Sequence, residues 1–462
     1  MKRIPIVKAA EKGGEEVKLA GWVNSRRDHG KIIFLDLRDA SGLIQSVATP
    51  KEEQAYETAN SLGAEDVVEV VGEVKARPQA NVNPDLETGK VELTLKQINL
   101  INKANELPFP IDTPGTEIDE LVRMKYRYID LRRQRLQTNL KTRHRIAVAA
   151  REFLNKENFV EIETPYLTKT TPEGARDFVV PSRHQKGNFY ALAQAPQQYK
   201  QLLMISGFEK YYQLSRAFRD EDLRADRQME HTQIDLEMAF VEREDILNLV
   251  EEMITFVAEK MGKKILEKPF PRFTHTEAMK QFGADKFDLR NKNQTEELAF
   301  AFVLDFPLFE RDEEEKAWTF SHNPFTAPKP EDEEKLKAEK EIAKISSLQY
   351  DLVCNGFEMA SGSIRINKPE VQRQALKIMG YSKEKIESDF GHLLKAYEYG
   401  APVHGGIAIG LERLTAVFTG ESSIREVVAF PVTSSGETSV MDAPSRLDEK
   451  QLKELGLKLD KK

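Results

Sequence analysis

Two kinds of hydrophobic spacing divide the chain. Residues 17 to 102 carry short runs of alternating apolar and polar positions: VKLAGWVNSRRD, KIIFLDLRDASG, LIQSVAT, DVVEVVGEVKAR and KVELTLKQINLI. Gly, Asp and Asn turns bound them, so each predicts a strand. Five such strands predict a small Greek-key barrel of the OB type over residues 1–102. Ile32 and Phe34 share strand parity, which assigns Phe34 to the core. The competing reading is an outward surface carrying Arg26, Arg27, Phe34 and Gln45, with cations for phosphates, an aromatic for stacking and an amide for base edges.

Residues 103–122 hold three prolines and a glycine and no long apolar period, which predicts a linker or hinge. Beyond it, residues 123–462 mix both periods. Leu140 to Leu154 places Ile146, Ala150, Phe153 and Leu154 at helical spacing. The strand FVEIE follows and breaks at Thr164-Pro165. ALAQAPQQYKQLLMISGF predicts a turn into a helix, with Gln197 and Lys200 near its first turn. Residues 243–261 form another amphipathic helix. GGIAIGLERLTAVFTG predicts a strand of small residues running into a helix closed by Gly420, with Arg413 in its first turn. Its glycines, 405, 406 and 410, would admit a flat ligand.

The densest pattern lies between Gln213 and Phe240. Two strands flank a loop rich in Arg, Asp and Glu. The second alternates Thr232, Ile234, Leu236 and Met238 with Gln233, Asp235 and Glu237. This is either an ordinary charged hairpin or a sheet whose polar face binds a ligand, with Arg219 at the loop base to meet an anion.

A chain of 462 residues needs two or three domains. No apolar run is long enough to span a membrane, and the first residues lack a signal-peptide core. The single cysteine, Cys354, excludes internal disulfides and Cys-based zinc sites. It reads as a buried small hydrophobe in a protein of the reducing cytoplasm. A net charge of −8 gives no general attraction to nucleic acid. The run from Arg123 to Arg145 is the local exception, with Tyr126 and Tyr128 among its cations. It is either a solvated helix face or a nucleic-acid contact. Residues 311–316 and 331–345 are charge runs expected to be solvated. No P-loop, GxGxxG, HExxH or GxSxG is present, so a bound nucleotide would rely on arginines for its phosphates.

TPEGARDFVVPSR, QAPQQYKQLLM, FRDEDLRADRQ, HTQIDLE, GIAIGLERL and the N-terminal GWVNSRRDHG together resemble the class II aminoacyl-tRNA synthetases, and within them the bacterial-type aspartyl-tRNA synthetase family. The resemblance covers nearly the whole chain. It implies an α+β fold, with an OB-fold anticodon-binding barrel and a class II catalytic domain on an antiparallel sheet flanked by helices. It implies ATP as substrate, Mg²⁺, L-aspartate, tRNA and a homodimer whose interface includes Pro165. By resemblance, Arg219 binds the α-phosphate and the substrate carboxylate. Asp220, Glu221 and Gln228 belong to the ATP site. Arg413 stacks on adenine and faces the γ-phosphate, beside Gly410, Leu411 and Glu412. Glu358 carries Mg²⁺ with Ser361. Lys200 and Arg365 pair with the aspartate side chain, Glu173, Gln197 and Asp235 hold its α-amino group, and His322 lies on the substrate side.

The chain departs from the family pattern in three places. Asn323 stands where a second histidine is usual, motif 3 reads GLER for GLDR, and the large bacterial insertion domain is absent near residues 288–300. The anticodon set implied is Arg26, Arg27, His29, Phe34, Gln45, Ala80 and Glu92. Members that charge only tRNA(Asp) tend to carry leucine at the place of His29 and lysine at that of Ala80. Histidine with a small residue accompanies members that charge both tRNA(Asp) and tRNA(Asn), whose Asp-tRNA(Asn) an amidotransferase then converts. Histidine can donate or accept and so can satisfy either pyrimidine at the third anticodon position. The alternatives are a strictly tRNA(Asp)-specific enzyme and, more remotely, an RNA-binding paralogue without charging activity.

Overall fold

The computed structural model describes residues 1–170, 174–312 and 316–459. It divides into two compact units, Met1–Pro110 and the remainder from Ile111.

In the first unit, β1 (Glu16–Asp28), β2 (Ile33–Arg38), β3 (Leu43–Ala48), β4 (Val67–Ala76) and β5 (Val91–Asn102) close a barrel in the order β1-β2-β3-β5-β4. Alternation drives the closure. Leu19, Val23, Ile33, Leu35, Leu37, Ile44, Val68, Val70, Leu93 and Leu95 fill the interior. Phe34 is not among them. The core parity of β2 is that of Ile33, Leu35 and Leu37, so Phe34 is half-buried on the outer face and Ile32 is exposed. The expectation that placed Phe34 in the core chose the wrong parity. A helix, α1 (Glu53–Ser61), follows β3 and buries Ala55 and Ala59.

The second unit is built on an eight-stranded sheet. Its elements in chain order are α2 (Gln134–Lys156), β6 (Val160–Glu161), α3 (Gln197–Ile205), β7 (Lys210–Phe218), β8 (Glu230–Ala239), α4 (Arg243–Lys260), β9 (Arg272–Thr274), α5 (His275–Phe282), β10 (Phe300–Leu304), β11 (Gln349–Cys354), β12 (Phe357–Ile364), β13 (His404–Gly410) and α6 (Leu411–Thr419). The strand order is β9-β10-β11-β12-β13-β8-β7-β6, antiparallel except for the two edge pairs.

One face of this sheet is apolar. Ile234, Leu236, Ile407 and Ile409 pack with Ile146, Ala150 and Leu154 of α2 and with Ile246, Val250 and Ile254 of α4. Each large apolar side chain so buried contributes roughly 1.5–3 kcal/mol before the entropy of ordering it is subtracted. The opposite face is polar, because strand parity puts every second residue there. Register aligns Asp351, Ser361, Ala408, Asp235 and Gln213 in one row, and Gln349, Ser363, Gly406 and Glu237 in the next. The helices leave that polar face to the loops and to α3, and the ligand pocket forms there.

At its N-terminal end the basic run after the linker is not a simple solvated face, because three of its arginines turn inward. Arg123, Arg127 and Arg133 are buried around Asp130, whose carboxylate takes Arg127 Nη1 at 2.6 Å and Arg133 Nε at 2.7 Å. Glu426 closes the cluster on Arg123 Nη2 at 2.7 Å. Burial pushes the Asp130 carboxyl up, but the arginines outweigh it and its pKa is lowered. The charged residues of the run at 331–345 are mostly exposed, as expected, with one exception near its start. Asp332 and Leu336 are buried, and Asp332 Oδ2 accepts from Ser346 N at 2.9 Å. Cys354 is buried, and burial pushes its thiol up.

Candidate active site

The polar face of the sheet floors a cavity of about 570 Å³. Its deep end is a closed network of charges. Lys200, brought in by the first turn of α3, lies 2.9 Å from Asp235 Oδ1 and 3.0 Å from Glu237 Oε2. Arg365, just past β12, donates to Glu237 through Nε at 2.9 Å and Nη2 at 3.2 Å, and to Ser363 Oγ through Nη1 at 2.8 Å. All four charged groups are almost fully buried. Burial drives both carboxyls up. For Glu237, Arg365 and Lys200 outweigh it and bring the group down to about 2. For Asp235 burial wins over Lys200 and its pKa is raised. Glu237 is therefore the firm anion and Asp235 the responsive one.

Gly406 exists for this network. A Cβ there would sit 2.1 Å from Glu237 Oε2, and one at Gly405 would strike the side chains of Ile364 and Ile246. Those two glycines serve strand packing, against the expectation that they admit a flat ligand. Gly410 alone of the three lines the cavity.

Two amides complete the deep end. Gln197 and Gln233 line the cavity, and Gln197 Nε2 and Gln233 Oε1 are buried with no partner among the described residues. Each is a donor or acceptor left for a ligand. Glu173 lies outside the described residues. Gln194 fixes the chain just after it, donating to Ala175 O at 2.8 Å and accepting from Ala175 N at 3.1 Å.

The outer end is held more loosely. Arg219 lines the cavity where the loop after β7 begins, its N–H donating to Met229 O at 2.7 Å. Glu221 pairs with Arg227 at 3.0 Å, and Gln228 Oε1 accepts from Val432 N at 2.9 Å. Arg413 Nη1 donates to Glu358 O at 2.9 Å and stands 3.6 Å from its carboxylate. Lys286 Nζ lies 2.8 Å from Glu358 Oε2. Ser361 Oγ accepts from Gln349 Nε2 at 2.7 Å. His231 stands among Arg219, Arg413 and Arg216. Burial first, then those arginines, lower it to about 3, so the imidazole is neutral. His322 meets Asp351 at 3.2 Å. Burial opposes its charge, but Asp351 outweighs it and raises its pKa. Asn323 Oδ1 accepts from Phe325 N at 3.0 Å and so closes the turn that carries His322.

Two expected ATP-site residues are absent from the cavity lining, and a third reaches it with its carboxylate already engaged. Leu411 is in the apolar core. Asp220 is absent from the cavity lining and contacts Arg176. Glu412 reaches the cavity, but its carboxylate takes Thr232 N at 3.0 Å and Arg143 Nη2 at 2.8 Å, anchoring α6 to β8 and α2. Sequence reasoning missed His231, Lys286 and Asp351 as lining or neighbouring groups, and it put Gln233 and Glu237 on the candidate binding face without giving either a role. Parity already placed Glu237 and Gln233 beside Asp235, whereas Lys286 carried no local signal.

In the barrel unit, Arg27, Phe34, Gln45 and Glu92 share the outer surface. Arg27 donates to Asp36 at 3.0 Å and to Gln45 Oε1 at 3.3 Å, and Gln45 donates to Glu92 at 3.1 Å. His29 meets Phe34 edge-on at 5.5 Å, and Tyr56 holds its loop through Gly30 O at 2.9 Å. Arg26 departs from the expected set. It turns toward the end of α1, donating to Ala59 O at 3.2 Å and Asn60 Oδ1 at 2.7 Å, because neighbouring strand residues face opposite ways. Ala80 is exposed in the turn Gln79–Asn81.

The family described as "tRNA synthetases class II (D, K and N)" matches residues 119–434, and "OB-fold nucleic acid binding domain" matches 17–101. The chain is 40% identical to an "Aspartate--tRNA(Asp/Asn) ligase" of Caldanaerobacter subterraneus subsp. tengcongensis, over 97% of this chain and 96% of that one. It is 39% identical to an "Aspartate--tRNA ligase" of Staphylococcus saprophyticus, over 96% and 97%. The first alignment runs over 572 residues, more than the 462 of this chain, so the relative carries sequence that this chain lacks. The asparaginyl-tRNA synthetase of Pyrococcus horikoshii, solved with asparaginyl-adenylate, superposes with a TM-score of 0.75 at 25% identity, covering 97% of this chain and 99% of that one.

Proposed function

Because the chain belongs to the class II tRNA synthetases of the D, K and N group, we propose that it uses ATP to attach L-aspartate to tRNA through an aspartyl-adenylate, charging both tRNA(Asp) and tRNA(Asn). The observation that carries this reading is the deep end of the cavity, where Lys200 and Arg365 are buried together against Glu237.

The network is charge-balanced before a ligand enters: two cations face two carboxylates. Aspartate brings one charge of each sign besides its reacting carboxylate. Its side chain goes to Lys200 and Arg365, and its ammonium goes to Asp235 and Gln233, with Gln197 and Glu173 beside them. Lys200 exchanges Asp235 for the ligand, and Glu237 holds both cations in place throughout. Asparagine would put an amide against two buried cations. The mismatch costs on the order of 3–5 kcal/mol, by analogy with broken buried pairs.

The nucleophile is already a carboxylate, so no general base is needed. Catalysis rests on positioning and on cations facing the developing charge. Arg219 takes the α-phosphate and the reacting carboxylate. Arg413 lies along the adenine, and neutral His231 lies beside both arginines. Gly410, Glu221 and Gln228 bound the base and ribose. Among the described residues no three-carboxylate metal cluster occurs. Glu358 and Ser361 nevertheless offer hard oxygens on one wall, with Asp351 next to Ser361 in the strand register. Such a set suits Mg²⁺, which takes one or two protein oxygens and completes its shell with phosphates. Bound there, Mg²⁺ would neutralise polyphosphate charge.

The barrel's outer face reads the anticodon, with Phe34 for stacking and Arg27, Gln45 and Glu92 around it. His29 stands where it can serve either third base. The chain acts as a cytoplasmic homodimer through α2 and the strand after it, where Val148 and Val160 are exposed. Among the described residues no helix is long and apolar enough to cross a membrane. Its Asp-tRNA(Asn) passes to an amidotransferase.

Purified protein should show ATP–pyrophosphate exchange that needs aspartate, and should charge purified tRNA(Asp) and tRNA(Asn) with comparable kcat/KM. Exchange that runs on asparagine instead would refute the substrate. Light scattering should give a mass near twice 52.7 kDa.

A further inference from the structure

The reading above gives no task to two cations of the cavity wall, Arg227, which pairs with Glu221, and Lys286. Lys286 comes from the loop between α5 and β10, far in sequence from the strands and turns that supply the rest. Its placement is built rather than incidental. The next residue, Phe287, is buried, stacks on Phe282 at 4.0 Å and meets Phe273 edge-on at 5.4 Å. Its carbonyl accepts from Gly356 N at 3.0 Å, two residues before Glu358. This aromatic anchor fixes the base of the lysine beside the strand that carries Glu358.

The tip is fixed as well. Lys286 Nζ lies 2.8 Å from Glu358 Oε2, while Arg413 faces Oε1 of the same carboxylate at 3.6 Å. An ammonium has three donors, so one spent on Glu358 leaves two. The side chain is 45% exposed, and Lys286 lines the cavity. An exposed ion pair contributes about 0–1 kcal/mol to stability, so the contact with Glu358 counts for little as a stabilising pair. Lys286, Arg413 and Arg219 together ring the outer end of the cavity, and the ligand that answers such a ring is a polyanion.

We propose that Lys286 is a phosphate-binding residue for ATP and for the pyrophosphate leaving group, positioned by Glu358 and contacting the phosphates beyond the one held by Arg219. This deepens the synthetase reading and rests on it. The ammonium answers the charge that accumulates on pyrophosphate as the α-phosphate bond breaks. No atom is transferred to the lysine.

The test is Lys286→Met, which keeps the stem and removes the charge, with Lys286→Arg as rescue. Calorimetry on wild type and both variants should show ATP and pyrophosphate binding weakened about tenfold in Lys286→Met, the order of one charge-assisted contact. The KM for ATP in pyrophosphate exchange should rise alongside, the KM for aspartate should stay within about twofold, and Lys286→Arg should recover most of the loss. Unchanged ATP and pyrophosphate affinity in a folded Lys286→Met protein would overturn the proposal and leave the synthetase reading standing. Equal rises in the ATP and aspartate constants would also overturn it, since they would indicate a structural role. Wild-type protein without aspartate-dependent exchange would remove the reading itself, and this inference with it.

Discussion

The pocket floor and the outer face of the barrel use the same kinds of side chain and build opposite surfaces with them. On the floor, Lys200, Arg365, Asp235 and Glu237 are each at most 3% exposed and bonded to one another. On the barrel, Arg27 is half exposed, and its bonds to Asp36 and Gln45 are ones that water can replace. Burial turns a missing partner into a cost of several kcal/mol, whereas exposure caps it near one. A site that must separate a carboxylate from an amide needs the first. A surface that must stack on a base and tolerate two pyrimidines works with the second.

Arg365→Leu tests the strong side of that contrast and should have the largest effect. It leaves Glu237 buried with Lys200 as its remaining ion-pair partner. Stability should fall by on the order of 3–5 kcal/mol. The KM for aspartate should rise steeply and the preference over asparagine should vanish. Denaturant melts and exchange assays with both amino acids check this. A retained preference would show that the side chain is read elsewhere.

Arg219→Ala comes next. The arginine is on the cavity wall, outside the buried network, so the melting temperature should hold. Adenylate formation should drop about 10²–10³-fold, the range for losing one preorganised group facing transition-state charge. Wild-type exchange rates in the folded variant would sink the assignment.

The same contrast explains what the sequence disclosed. Period-two alternation and the helix signals located the barrel strands, the hairpin from Gln213 to Phe240, and the strand-to-helix joint at Gly410, because each is a local pattern. Parity could not say which face of β2 was inside, and Phe34 was misassigned for that reason. The arginines from 123 to 133 looked like a surface because a single local acid, Asp130, gave no sign that it gathers three of them in the interior, and the second anion, Glu426, lies about three hundred residues away in sequence. Glycines 405 and 406 looked like ligand space because only the folded register brings Glu237 and Ile246 against them. Lys286 joined the site by tertiary placement alone. The resemblance supplied roles, but it could not separate Leu411 and Glu412, which serve the core and a structural anchor, from Arg413, which faces the cavity.

The rim of the cavity should fall between the two extremes, and His322 with Asp351 measures it by pH. The raised pKa of His322 means its contribution is fully present below about 6.5 and is lost as pH rises through the higher folded value. The lowered pKa of Asp351 means its contribution is present above about 3.9 and is lost as pH falls through the lower folded value. Both groups are charged between those limits. Wild-type protein should therefore exceed Asp351→Asn in stability most between about pH 4 and 6.5, with the gap closing above that window. A gap independent of pH would show that the contact is not an ion pair.

The smallest effect belongs to the barrel, at His29. Its ring is exposed and touches Phe34 edge-on, so His29→Leu should leave barrel stability unchanged. On the proposed reading, what the substitution removes is a group that can donate or accept toward the third anticodon base. The two anticodons, G-U-C and G-U-U, differ only there, and cytosine and uracil present opposite hydrogen-bonding atoms at the position that distinguishes them. A leucine can serve neither, so discrimination passes to the rest of the face, where Gln45 and Glu92 are already bonded to each other and set by the barrel. The kcat/KM ratio should shift toward tRNA(Asp) by about three- to tenfold, the equivalent of one neutral hydrogen bond of roughly 0.6–1.4 kcal/mol. Side-by-side charging of the two purified tRNAs measures it. A wild-type preference for tRNA(Asp) of a hundredfold, about 2.7 kcal/mol, would exceed what this open surface can generate. It would mean that the barrel discriminates as sharply as the pocket floor.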